Sequence, residues 1–315
     1  MSSLLDPAMA LLAVPLLAAW TGHRARAITQ RFPPSGQFVA TRAGRLHLID
    51  QGQGDLPVLF LHGASGTLRV WEPAIGRHLA GLGRTILVDR PGHGFSERKA
   101  GRGAASLAHQ AGAMIDALDA LDIGRVVVVA HSWAGALGTR LALDYPDRVA
   151  GLMLIAPVTH PWPGGISWYY TAASLPVIGP LFSWTVALPA GELLMRRSID
   201  GVFAPQSIGA DYSHEAGIPL VLRPRQFMAN AEDCVALNDQ VAAQAPRYGE
   251  IACPVTVISG DSDGVVWTHL HSLGMARDVP QTRLIILDNV GHSPHHASPE
   301  RLVAEIHDIK ARAAG

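Results

Sequence analysis

The stretch VVVVAHSWAGALGTRLAL, Val126 to Leu143, changes character at a single residue. Four consecutive β-branched residues open it, a run suited to a strand buried on both faces. From Ala134 onward the apolar residues recur at helical spacing. Ser132 stands at the junction, with Ala130 and Ala134 two positions to either side and Gly135 next. A tight strand-to-helix turn brings those flanking positions together, so both must be small, and it pushes the central side chain out of the sheet. A helix opening there also points its positive dipole end at that side chain. The bland alternative for an isolated serine at such a place is an ordinary helix N-cap.

The same design repeats outward from this point. VLFLHG (58–63), TILVDRPGHG (85–94), VAGLMLIAP (149–157), PVTVISGDSD (254–263) and RLIILDNVGH (283–292) are short apolar runs ending in polar or glycine-rich turns. RLHLID (45–50) alternates, as a strand with one exposed face does. Ser106 is placed to cap a helix carrying Met114, Ile115, Leu118 and Leu121, and Ser298-Pro299 to open the last one. Apolar strands separated by helices predict an α/β fold: a mostly parallel sheet flanked by helices on both faces. The rhythm fails once, where prolines and aromatics cluster in HPWPGGISWYY (160–170). The expected organisation is an apolar N-terminal segment and linker at 1–35, a core formed by 36–157 and 249–315, and an inserted, mainly helical cap at 158–248.

In open parallel sheets the functional groups gather beyond the carboxyl ends of the strands. The polar residues just past the apolar runs are His62, Asp89, Ser132, Asp261, Asp263 and His292. A serine hydroxyl is a weak nucleophile at neutral pH. It needs an adjacent base, and the base needs a carboxylate to hold its tautomer and stabilise its charged form. All three residue types are present, in the chain order serine, acid, histidine.

Four motifs in sequence now resemble those of the α/β-hydrolase superfamily: HGASG, DRPGHGFS, AHSWAG, and the pair GDSDGVV and GHSP. The resemblance runs from about Gly44 to the end, apart from the cap. It implies Ser132 as nucleophile, Asp263 as acid with Asp261 as the competing choice, and His292 as base. It implies an oxyanion hole from the N–H groups of Ala64 and Trp133. AHSWAG departs from the usual G-x-S-x-G by carrying alanine at both small positions, which still meets the steric need. His62 reads as a brace for its loop, and Asp89, Gly92 and Gly94 as structural. His295 and His296 beside His292 invite a zinc reading, but no carboxylate-rich partner motif accompanies them. No metal and no cofactor are expected. In the cap, Trp162 and Trp168 are candidate substrate-lining residues, against the alternative of plain packing.

Serine suits acyl transfer. A serine alkylated at carbon would form an ether that water does not readily cleave, so epoxide opening and dehalogenation, common in superfamily members with tryptophan after the nucleophile, are set aside. The expected activity is that of a carboxylesterase-like serine hydrolase acting on a small or medium apolar ester. The alternatives are carbon–carbon bond hydrolysis of a dienoate ketone and a non-enzymatic binding protein of the same fold.

Composition narrows the partners. The 315 residues are 48% hydrophobic and 16% charged, with a formal net charge of −1. A full core is affordable, and nucleic acid is not an expected partner. Cys234 and Cys253 read as ordinary thiols. The run AMALLAVPLLAAW, Ala8 to Trp20, is too short to span a bilayer and is followed, not preceded, by Arg24, Arg26 and Arg31. Three readings compete: a helix lying in the membrane surface through residues 8–20, a helix packed on the domain, and a cleaved signal. The charge order puts the main domain in the cytoplasm, and the first reading puts it at the inner face of the membrane. Oligomeric state is not legible.

Overall fold

Each face of β5 (Val126–His131) is covered, which is why its sequence is apolar throughout. In the computed structural model, which describes residues 7–314 and side-chain surroundings from residue 13, Val126, Val128 and Ala130 join one core cluster and Val127 and Val129 another. The alternation follows from the two-residue period of a strand. On the first face β5 meets α3 (Leu107–Ala120) and α4 (Ala134–Asp144), through Met114, Leu118, Leu137 and Leu141. On the second it meets α2 (Trp71–Leu79) and α12 (Pro299–Ala314), through Ile75, Leu79, Leu302 and Ile306.

The remaining strands are β1 (Gln37–Thr41), β2 (Gly44–Gln51), β3 (Val58–Leu61), β4 (Thr85–Val88), β6 (Val149–Ile155), β7 (Val255–Gly260) and β8 (Thr282–Leu287). They form one eight-stranded sheet in the order β1-β2-β4-β3-β5-β6-β7-β8, with β2 antiparallel to both of its neighbours, β1 and β4, and the remaining pairs parallel. The order reverses around β3, so β5 lies beside a switch point, where loops on neighbouring strands diverge and leave a crevice. Strand β1 was not among the strands expected from sequence. It is a short edge strand whose pairing with β2 across Thr41 and Gly44 supplies the order that its composition does not. The Ser106 side chain accepts from the His109 N–H, as its position before α3 predicts.

Between β6 and β7 the described chain is helical: α5 (Trp168–Ser174), α6 (Ile178–Phe182), a π turn at Ser183–Ala187, α7 (Leu188–Phe203), α8 (Tyr212–Glu215) and α9 (Pro224–Gln244). Helix α10 (Thr268–Asp278) and the short α11 (Pro294–Ala297) follow in the second half of the sheet. The N-terminal apolar run belongs to α1 (Pro7–Arg31), a single helix that also carries the three arginines. Residues 1–6 of the expected N-terminal segment lie outside the described residues. The second half of α1 packs through Ile28, and the chain just past its end through Phe32, onto Leu188 and Leu220–Leu222.

Candidate active site

Ser132 sits at the end of β5 with φ +56°, a left-handed conformation that costs a non-glycine residue on the order of 1–2 kcal/mol. The turn is held by the Ser132 N–H on the Ile155 carbonyl (2.9 Å) and by the Gly135 and Val158 N–H groups on the Ser132 carbonyl (2.8 and 3.0 Å). Ala130 and Ala134 are fully buried beneath it. Gly63 closes the other side: a Cβ there would stand 3.0 Å from the Ser132 Cβ. The serine is thus presented by backbone geometry and small neighbours, as the local sequence demands.

His292 Nε2 lies 2.9 Å from Ser132 Oγ, and its Nδ1 lies 2.7 Å from Asp263 Oδ2. The other carboxylate oxygen of Asp263 accepts the N–H groups of Val265 and Val266 (2.8 and 2.9 Å). Burial pushes the Asp263 carboxyl up. The His292 hydrogen bond and charge, with the two amides, outweigh it and hold the group below the usual carboxylate range. The acid and base loops are zipped together, because Asp261 N–H and Ser262 N–H donate to the carbonyls of Leu287 and Val290. Gly260 permits this approach, since a Cβ there would stand 1.9 Å from the Val290 oxygen. Asp261 itself is exposed and, among the described residues, its side chain accepts only from the Ser262 hydroxyl, so of the two carboxylates Asp263 alone meets the histidine.

Trp133 directly follows this serine and Ala64 follows the Gly63 that closes on it, and among the described residues neither the Ala64 nor the Trp133 N–H has a hydrogen-bond acceptor. The loop carrying Ala64 is fixed from two sides. His62 accepts the Arg90 N–H at Nε2 (3.1 Å), which leaves its Nδ1–H to donate to the Gly63 carbonyl (2.8 Å). Burial, then the Arg90 charge, holds that imidazole neutral, with its pKa well below the usual histidine value. From the cap side, Ser65 N–H donates to Asn230 Oδ1 (2.7 Å), Asn230 Nδ2 donates to Ser65 Oγ (3.1 Å), and the Tyr170 hydroxyl lies 3.0 Å from the same oxygen.

Beneath the loop lies a fully enclosed ion pair. Arg90 Nη1 donates to Asp233 Oδ2 (2.7 Å), and its guanidinium lies 3.9 Å over the Trp133 ring. Arg98 and Gln110 donate to the other oxygen of Asp233 (3.0 and 3.1 Å), and Trp133 Nε1–H donates to the Asp233 carbonyl (3.1 Å). This network joins α9 to the loop after β4 and to the residue following Ser132. Sequence reasoning named neither Arg90, Asp233, Asn230 nor Tyr170 for these roles. A signal existed for two of them. Gln226, Asn230, Asp233, Leu237 and Val241 fall on one buried stripe of α9, where polar residues at apolar positions mark a buried network. Asp233→Ala is expected to cost about 3–5 kcal/mol, since it leaves the Arg90 charge buried and unpaired. The urea unfolding midpoint measures it, and an unchanged midpoint would contradict the ion pair.

The three histidines after β8 have separate fates. His292 faces Ser132. His295 packs at a tilt against His131 (centroids 4.4 Å) and Trp71 (5.5 Å), and His296 packs against Phe203 and Tyr212. His131, just before the serine, has its Nε2–H on the His292 carbonyl at 3.1 Å. Burial first, and the His292 charge second, bring its pKa down to about 3. It therefore stays neutral and adds no repulsion when His292 becomes charged. Of the two tryptophans expected to line the substrate site, Trp162 is half-buried, hydrogen-bonded through its backbone to Asn238 (3.0 Å) and edge-on to His271. Trp168 lies on the outer face, 71% exposed.

A family model described as alpha/beta hydrolase fold matches residues 57–177. The chain is 30% identical over 260 residues to a haloalkane dehalogenase of Sphingobium indicum, covering 81% of this chain and 80% of that one. It is 28% identical over 291 residues to a 2-hydroxymuconate semialdehyde hydrolase of Pseudomonas putida, covering 90% and 97%. An esterase from Exiguobacterium antarcticum has a similar fold, with a TM-score of 0.71 at 18% identity, over 88% of this chain and all of that one.

Proposed function

Because the chain belongs to the alpha/beta-hydrolase family and is a hydrolase of that fold, we propose that Ser132, His292 and Asp263 cleave a carboxylic ester of a small or medium apolar substrate through an acyl-enzyme. The observation that carries this reading is the unbroken relay from Asp263 through His292 to Ser132 Oγ, at 2.7 and 2.9 Å. In this mechanism Ser132 Oγ attacks the ester carbonyl carbon as His292 Nε2 takes the hydroxyl proton. Asp263 keeps Nδ1 protonated and stabilises the imidazolium. The tetrahedral oxyanion sits against the N–H groups of Ala64 and Trp133, which gain most as charge develops on the oxygen. On collapse, His292 gives its proton to the departing alkoxide. Water, deprotonated by the same nitrogen, then attacks the acyl-serine and regenerates the enzyme.

The serine also bears on dehalogenation, the activity named for the Sphingobium relative. Displacement of halide by Ser132 would leave an alkyl ether with no carbonyl for water to attack, so turnover would stop after one event. Carbon–carbon bond hydrolysis is the second reading, supported by the likeness to the semialdehyde hydrolase over nearly its whole length. Trp162 and Tyr170, which pack with Ala64 against one apolar cluster, are the proposed wall of the substrate site.

The test is a screen of p-nitrophenyl esters of graded acyl length beside a dienoate ketone. The expected result is steady ester turnover, with a burst of p-nitrophenol equal to the enzyme present. Cleavage of the dienoate ketone with no ester turnover would move the assignment to the second reading.

A further inference from the structure

Two segments far apart in the chain leave large apolar side chains in water on one side of the molecule. On α1 they are Val14, Leu16, Leu17 and Trp20, with Leu16 70% exposed. On the helical stretch Ile178–Phe203 they are Ile178, Leu181, Val186, Leu193 and Leu194, with Leu193 86% exposed. Val177, just before it, is 81% exposed. No charged residue and no histidine occurs from Pro161 to Gly191. Exposed large apolar residues gathered in this way mark an interaction surface.

The two segments form one surface. A groove of about 510 Å³ lined by Ala13, Leu16, Leu17, Trp20 and Pro189 runs between them. Trp184 packs beside Gly22, and Arg24 Nε donates to Glu192 at 2.7 Å. Along each helix the apolar residues are followed by basic ones. Leu16 and Trp20 are followed on α1 by Arg24, Arg26 and Arg31, and Leu193 and Leu194 on α7 by Arg196 and Arg197. Helix α1 holds no acidic residue. Among the described residues Arg26, Arg31 and Arg197 make no ion pair.

We propose that this combined face docks on a lipid bilayer containing anionic headgroups, with the apolar residues of α1 and of the Ile178–Phe203 stretch entering the acyl boundary and the arginines meeting the phosphates. A surface helix binds a membrane through buried apolar area together with attraction of its basic residues to anionic lipid. Trp20 suits the headgroup level, where an amphipathic ring is favoured. A second copy is a poorer occupant. Two-fold pairing through this patch would bring the unpaired Arg26, Arg31 and Arg197 toward their own copies, while Glu192 and Asp200 are already engaged by Arg24 and Arg196. The proposal stands independently of the reaction assigned above.

The test is flotation of the full chain with phosphatidylcholine vesicles, with and without phosphatidylglycerol. Wild type should float with the anionic vesicles and less with the neutral ones, and added salt should weaken the binding. Leu193→Glu and Leu16→Glu should each lower vesicle affinity about tenfold. Hydrolysis of a water-soluble p-nitrophenyl ester and the melting temperature should stay unchanged, which separates failure of docking from failure of the esterase reading. The proposal is overturned if wild type does not float, or if both variants bind as wild type does. It is also overturned if light scattering shows a dimer that the two substitutions split while vesicle binding is absent.

Discussion

Ser132→Ala is expected to lower ester turnover by about six orders of magnitude while leaving the melting temperature within a few degrees of wild type. The chemical loss is this large because, among the described residues, no other hydroxyl is held within hydrogen-bond reach of His292 Nε2. The structural loss is small because the turn is held by backbone hydrogen bonds that alanine keeps. Alanine also retains the left-handed conformation at φ +56°, with a similar strain. His292→Ala should be nearly as severe, and the double variant no worse than either, since residues that act as one unit do not add. A fluorophosphonate that labels folded wild type should fail on Ser132→Ala. Residual turnover near the wild-type rate in either single variant would reject the relay.

The second large effect is acid sensitivity. Burial is the largest cause that lowers the pKa of each of six histidines. His62, His93 and His295 lie well below the ordinary value, His131 is brought down to about 3, and His271 and His296 to about 4. In the unfolded chain each titrates near 6.5. Between those values the unfolded state binds protons that the folded state refuses. The stability these groups contribute is therefore present above pH 6.5 and lost as pH falls toward 4. Each group contributes up to about 1.4 kcal/mol per pH unit in that window, so six acting together remove several kcal/mol by pH 5.5. That is comparable to the whole stability of an ordinary domain. The denaturation midpoint should fall steeply from pH 7 to pH 5, before most carboxylates protonate. His295→Phe should soften the fall, because it removes a buried ring whose Nδ1 has no partner. A midpoint that is flat across that range would show that these rings open to water.

How much of this was legible in the sequence depends on the range of the physics involved. The β-branched run at Val126, the small residues around Ser132 and the polar residues closing each apolar stretch are consequences of local geometry. A strand covered on both faces must be apolar throughout, and a sharp turn must have small neighbours, whatever the rest of the chain does. The sheet, the expected nucleophile and the order serine, acid, histidine were therefore readable from short windows. The choice of Asp263 over Asp261 for contact with the histidine came from the family resemblance and not from local geometry. Two carboxylates separated by one residue look alike in sequence, and the hydrogen bonds of the acid loop to Leu287 and Val290 decide which one turns inward. The Arg90–Asp233 pair, the Asn230 and Tyr170 contacts to Ser65, and the shared surface of α1 and the cap join residues more than a hundred positions apart. No local periodicity specifies such meetings, because they depend on how helices pack once the sheet has formed. Tertiary structure alone brought those residues together.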